Sequence, residues 1–273
     1  MADTKNCAIH TITTKSWSLS ECCDKYAAAG FGGVGVWRNA LEGLGLDRAA
    51  DIIRGSRLKV PSLVRGGFFV ATDKAKRHTA ADENKKCVDE AAAIGAEQVV
   101  LVVGAEPGVP LPEARRHVRD GLTRLLPYAE ANKVKLAIEP LHPMYAADRS
   151  CVNRMAEARR LCEDIRSPWL GIAADVYHIW WDPDLKQEIA LAGQQGTLFG
   201  FHVCDWRVHT RDLLNDRGLM GDGVIDIPQI RGWVEAAGFA GYSEVEIFSR
   251  EDWWKRDGGE VLDTCIARHR SAV

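Results

Sequence analysis

Hydrophobic residues along the chain gather in short runs separated by longer stretches with helical periodicity. Eight runs read as strands, at 7–11, 33–37, 59–64, 98–103, 135–139, 170–175, 197–204 and 243–247. Several are rich in Val and Ile, and few alternate cleanly with polar residues, as expected for strands covered on both faces. Between them, 18–29 places Leu19, Cys22, Cys23 and Tyr26 on one helical face ahead of Gly30. Helices are also predicted at 47–55, at 81–94 stopping on Gly95, and at 112–132, where Val118, Leu122, Leu125, Leu126 and Ala129 share one face. The segments 153–165, 184–193, 227–237 and 251–269 complete the series. Strands alternating with helices on short connections predict parallel pairing through right-handed crossovers. Eight such units fit an α/β (β/α)8 TIM barrel; an open doubly wound sheet is the alternative, but no GxGxxG follows the first strand.

No Ser/Gly- or Pro-rich linker divides the sequence, so residues 1–273 read as a single barrel domain, within the length such folds reach. With 46% hydrophobic and 27% charged residues, the chain is an ordinary globular one able to bury a large core. A formal charge of −3 gives no basic field to attract nucleic acid or a membrane surface. The opening MADTKNCAIH has no apolar signal core, and no apolar run reaches a membrane span, so the expected compartment is the cytoplasm. Eight cysteines without a CxxC pair read as reduced, small hydrophobic residues.

In such barrels the chemistry sits at the carboxyl ends of the strands. The fifth strand ends KLAIEP, with Glu139 at its mouth; the sixth ends GIAADVYH, with Asp175 and then His178. The seventh runs LFGFHVCDWR, carrying His202, Asp205 and Arg207, and the eighth runs YSEVEIFS, with Glu244 and Glu246 on one side by alternation. Taken singly, a strand-end carboxylate caps the following loop and a lone histidine is a satisfied core residue. Taken together, ionised carboxylates behind hydrophobic strands are costly to bury without compensation. A divalent cation shared by Glu139, Asp175, His202 and Glu246 would supply it. Three carboxylates and an imidazole, with room for two more oxygens, suit Mn²⁺ or Mg²⁺, with Co²⁺ as an alternative. Glu244 competes with Glu246 as a ligand, and the SEVEIFS framing favours Glu246.

The segments AIEP, ADVYH, GFHVCD, GLMGDGVIDIPQI and GYSEVEIFS, in this order, resemble the xylose isomerase-like barrel superfamily, in particular its sugar phosphate isomerase/epimerase branch. They cover about half of the chain. The resemblance implies that Glu139, Asp175, His202 and Glu246 are metal ligands, with Mn²⁺ foremost, and that Glu139 and Glu246 are the acid/base pair. It makes His178 a substrate-contacting histidine and Arg217 a substrate-binding arginine. The implied reaction is isomerisation or epimerisation of a sugar by removal of a proton α to a carbonyl, through an enediolate.

One departure follows Glu139, where the chain reads Pro140-Leu141-His142-Pro143. His142, on a loop pinned by two prolines, is a candidate additional base as well as a candidate loop anchor. That feature is similar to the catalytic subunits of C-glycoside deglycosidases, which implies a lyase: α-proton removal from a 3-oxo-C-glycoside, then β-elimination, with a small partner subunit. His10, Trp37 and Arg65, at the ends of the first three strands, are candidate substrate-binding residues, with packing and solvated roles as the plainer alternatives. Trp180, Trp181, Trp206, Trp253 and Trp254 suit sugar stacking or a homo-oligomer contact equally well. Residues 74–86, basic but interleaved with Asp82 and Glu83, read as a solvated helix face.

Two other functions compete. A trinuclear-zinc DNA endonuclease on this scaffold needs further histidines where the second and third strands read Val36-Trp37-Arg38 and Leu63-Val64-Arg65-Gly66, so it is disfavoured. A non-catalytic sugar-binding barrel would lack the ligand set, which this sequence carries whole. No phosphate-binding motif is evident, which favours a free sugar or glycoside over a sugar phosphate.

Overall fold

The computed structural model describes residues 4–273 as a closed barrel of eight parallel strands in sequential order. The strands are β1 (Cys7–His10), β2 (Gly33–Trp37), β3 (Val60–Gly67), β4 (Ala96–Val102), β5 (Lys135–Ile138), β6 (Leu170–Asp175), β7 (Leu198–Val203) and β8 (Ser243–Val245). β1 closes the ring on β8, with Ala8 opposite Glu244 and Ile9 opposite Val245. The principal helices are α1 (Leu19–Ala28), α2 (Leu46–Ser56), α3 (Lys74–Ile94), α4 (Leu111–Ala131) and α5 (Met155–Ile165), then a single turn, α6 (Val176–Ile179). They continue with α7 (Leu185–Gln194), α8 (Ile227–Ala236) and α9 (Gly258–Ser271). The open-sheet alternative is excluded by the closure.

The main core lies between the strands and these helices, where Ile9, Val34, Leu63, Leu101, Leu136 and Ile172 meet Tyr26, Val88, Leu122 and Met155. Residues that alternate with the first set point into the barrel, where Val64, Val100, Ala137 and Ala173 form a smaller cluster. All eight cysteines are free and buried, as small hydrophobic residues would be. Among the described residues, no helix is long and apolar enough to cross a membrane.

Three boundaries differ from the sequence expectation, each for a local reason. α3 begins at Lys74 and not near residue 81, because Asp73 caps it by accepting the Ala75 N–H at 2.7 Å. Its first two turns are polar and largely exposed, so hydrophobic periodicity was silent there. α9 starts at Gly258 and not at residue 251, because Asp257 accepts the Gly259 and Glu260 amides and makes the cap. β3 runs on to Gly67, and its pairing with β4 shifts register between Val64 and Gly66. There the buried Asn84 of α3 clamps the Gly67 backbone, accepting its N–H at 2.6 Å and donating to its carbonyl at 2.7 Å.

Candidate functional site

At the carboxyl end of the barrel, each polar group sits two residues beyond, or in register with, an inward-facing position: Glu139 after Ala137, Asp175 after Ala173, His202 after Gly200, and Glu246 after Glu244. One ligand atom each from Glu139, Asp175, His202 and Glu246 lie within 4.8 Å of one another, and all four residues are buried. Sequence separation runs from 139 to 246, and barrel closure alone brings them together.

These groups are held, but incompletely satisfied. Asp175 accepts the Tyr177 amide at 2.9 Å on one oxygen and Arg217 Nη1 at 2.9 Å on the other. Glu246 accepts Arg217 Nη1 at 3.0 Å and the Trp37 indole N–H at 3.0 Å. Glu139 Oε1 and both ring nitrogens of His202 are buried without a hydrogen-bond partner; His202 Nδ1 lies 3.3 Å from Glu139 Oε1. Buried polar atoms without partners are costly, and here they converge with two further carboxylates. The donor set and its unsatisfied atoms fit a divalent cation, which would be bound by oxygen and one imidazole nitrogen.

A second layer lies beneath. Glu244 accepts the Ser62 hydroxyl at 2.5 Å and faces His10 Nε2 at 3.0 Å, while its other oxygen is 3.7 Å from His202 Nε2. His10 Nδ1 is 3.1 Å from Glu246. Glu244 is thus the support under two histidines, and Glu246 is the member of the pair in the ligand cluster. The His10 ring crosses the barrel where β2 carries Gly35, at which a Cβ would lie 2.1 Å from the ring. His10 is fully buried with both ring nitrogens facing carboxylates. It braces Glu246 and is not among the residues lining the cavity, and with His202 and Glu246 it forms a second group whose ligand atoms lie within 4.8 Å of one another.

Charge is partitioned unevenly. Burial alone pushes the Glu139 and Asp175 carboxyls up, and Glu246 and Asp175 add repulsion on Glu139. Burial would raise Glu246 too, but His10 and Arg217 outweigh it and hold it well below the ordinary carboxylate range. Burial works against a charged His202, yet Glu244, Glu139 and Glu246 overcome it and raise its pKa to about 10. Without a metal, protons on the histidines and the Arg217 charge offset the carboxylates. Metal binding at such a site releases the proton from its imidazole ligand.

Above the cluster is a cavity of about 100 Å³, bounded by Trp37, Arg65, Glu139, His178, Arg217 and Glu246. Trp37, Arg65, His178 and Arg217 therefore stand where a substrate would be gripped. Arg217 is buried between the rings of Tyr177 and Phe248, 4.5 and 5.1 Å from its guanidinium carbon. Burial and the Arg217 charge keep His178 neutral, its pKa well below the usual value.

His142 is not among the groups at this cavity. Its Nδ1 accepts the Met144 amide at 3.2 Å, capping the turn Pro143–Tyr145, and its ring lies 5.0 Å from Trp206 and 5.7 Å from Trp181. The turn cap and the aromatic packing are those of a loop anchor, one of the two roles open to this residue. Trp180 and Trp206 pack on each other, and Trp254 donates to the Ile12 and Ile247 carbonyls, so these tryptophans brace loops. Asp205 likewise is structural: it accepts four amides, from Trp206, Gly221, Gly223 and Ile225, and gathers the loop after β7. Arg149 and Tyr145, which line the cavity, escaped the sequence reading because nothing in their loop has periodicity or a motif.

A family model described as a xylose isomerase-like TIM barrel matches residues 23–264. The crystal structure of protein SMc04130 from Sinorhizobium meliloti 1021 is 47% identical, covers 98% of both chains and superposes with a TM-score of 0.95. A crystal structure of the IOLI protein with a binding zinc atom shares the fold, at 21% identity, 98% coverage of both chains and a TM-score of 0.86. The L-ribulose-5-phosphate 3-epimerase UlaE of Shigella boydii is 27% identical over 138 residues, spanning 50% of this chain and 44% of that protein. The match to this curated relative thus covers less than half of its length.

Proposed function

The chain belongs to the xylose isomerase-like TIM barrel family, and on that premise we propose that it is a divalent-metal-dependent sugar isomerase or epimerase. The observation that carries this reading is the buried quartet Glu139, Asp175, His202 and Glu246, with one donor atom of each within 4.8 Å of the others and Glu139 Oε1 and both His202 ring nitrogens lacking hydrogen-bond partners. Similarity to an L-ribulose-5-phosphate 3-epimerase and to a zinc-binding barrel supports it. The oxygen-rich donor set favours Mn²⁺, with Mg²⁺, Co²⁺ and Zn²⁺ as alternatives. A bound cation would supply Lewis acidity to the carbonyl and neighbouring hydroxyl oxygens of a hydroxy-ketone.

The chain's own residues supply the rest. Glu139 and Glu246 approach from β5 and β8, on different sides of the cavity, and their environments pull their proton affinities apart: Glu139 upward by burial, Glu246 downward by His10 and Arg217. Such separation suits one carboxylate to remove the α-proton and the other to return one. Return to the same carbon gives epimerisation, and return to its neighbour gives isomerisation. His178 accepts the His142 amide on Nδ1 at 3.2 Å and lies 3.2 Å from Arg217 Nη2 through Nε2, so it braces the charged Arg217 that lines the cavity.

The test is metal analysis of the purified protein with Mn²⁺ and Zn²⁺ titrations into wild type and Glu139→Gln, followed by ketose-dependent exchange of the α-proton with solvent deuterium. One equivalent bound by wild type and lost in the variant, with exchange only in the loaded wild type, is expected. Absence of metal binding in the wild type would sink the proposal.

A further inference from the structure

The cavity is polarised. Its floor is the carboxylate cluster, while its rim carries two arginines, Arg65 after the register shift of β3 and Arg149 on the loop after β5. Most other buried or half-buried arginines are committed to carboxylates, among them Arg38 to Glu90, Arg154 to Asp182, Arg159 to Glu188 and Arg217 to Asp175, and Arg77 is bound to the Ala71 and Thr72 carbonyls. Arg65 and Arg149 are half-buried and have no carboxylate partner among the described residues. Their guanidinium groups rest on aromatic rings instead, Arg65 at 4.6 Å from the Phe68 centroid and Arg149 at 5.4 Å from that of Tyr145. Stacking of this kind leaves the in-plane N–H donors free to meet a ligand.

We infer that Arg65 and Arg149 together form a subsite for an anionic group at the end of the substrate remote from the reacting carbons, so that the substrate is a sugar acid or a sugar phosphate. The inference rests on the sugar isomerase/epimerase reading for the sugar itself; the anion requirement stands on the arginines alone. Planar guanidinium forks match carboxylate and phosphate oxygens, and charge-assisted bonds of this type are the strong ones. Burial and the neighbouring Arg149 charge work against a charged Arg65 and outweigh the support of the Glu139 and Glu246 carboxylates, and an anion between the two arginines would relieve the repulsion. The assignment reverses the preference for a neutral sugar drawn from the lack of a phosphate motif: side chains from separate loops make this site, where a motif would have used one glycine-rich loop.

The test compares three six-carbon probes by calorimetry on Mn²⁺-loaded protein: D-fructose, D-fructose 6-phosphate and 5-keto-D-gluconate. Wild type is expected to bind at least one charged probe about tenfold or more tighter than fructose, and the tighter of the two identifies phosphate or carboxylate as the natural anion. In Arg65→Gln/Arg149→Gln the advantage should shrink to within about twofold, with Arg65→Lys retaining part of it. No advantage in wild type, an advantage that survives the double substitution, or no binding of any probe to protein that still takes up Mn²⁺ would overturn the inference. Failure of the metal reading looks different: no Mn²⁺ uptake, with the arginine-dependent preference for a charged probe intact.

Discussion

The two halves of the barrel wall do different work. β5 to β8 end in Glu139, Asp175, His202 and Glu246, all buried, all within reach of one ion, and propped from below by Glu244 and His10. β2 to β4 end in Trp37, Val64, Arg65 and Val102, an apolar wall with a cationic rim that is only half-buried. The difference lies in how each half meets its polar obligations. The later strands collect charges that meet one another and Arg217 and leave donor atoms free for a cation, and the proposed chemistry is placed there. The earlier strands leave Arg65 without a carboxylate partner among the described residues, and the proposed anion recognition is placed there. Trp37 is the link, since its indole N–H crosses from β2 to the Glu246 carboxylate.

Three experiments would break or sharpen that division. The largest effect is expected from Glu246→Gln, in the reactive half. It removes a ligand and one member of the acid/base pair, and turnover should fall by on the order of 10²–10⁴-fold or more. It also strips Arg217 and His10 of a buried carboxylate, so the metal-free variant should melt below wild type. Undiminished α-proton exchange would place the acid/base pair elsewhere.

A smaller effect is expected from Trp37→Phe in the selecting half. Losing an N–H to a charged acceptor is worth roughly 1.5–3 kcal/mol, so kcat/KM should drop about tenfold or more. An unchanged value would reduce β2 to a passive wall and sharpen the division further. The smallest effect is expected from His142→Ala, which lies in the reactive half but off the cavity. Turnover should change less than about threefold, with a stability loss of about 1 kcal/mol from the turn cap and the Trp206 contact. Collapse of turnover would restore His142 as a base and revive the elimination route.

Much of this was legible in the residues. Eight strand–helix units, the covered strands and the four strand-end ligands followed from hydrophobic rhythm and from carboxylates placed where burial is costly, and barrel closure then gave the rhythm its meaning. The eighth-strand choice between Glu244 and Glu246 rested only on framing; the fold resolves it by depth, one residue pair apart along the strand. Where the rings of His10 and His142 lie was not legible, because a histidine's letter is silent about its ring. The small Gly35 lets one ring cross the barrel, and Trp181 and Trp206 hold the other away.

The sequence by itself determined the element order, the parallel barrel and the identity of the buried donors, because periodicity and the cost of burying charge are local properties of a chain. Only the tertiary structure decided which groups remain without partners. Arg65 and Arg149 look like any surface arginines in the sequence, and His202 like any core histidine. Whether an arginine finds a carboxylate, or an imidazole a donor, depends on residues far along the chain, such as Asp175 for Arg217 and Glu139 for His202, that meet only in the folded barrel.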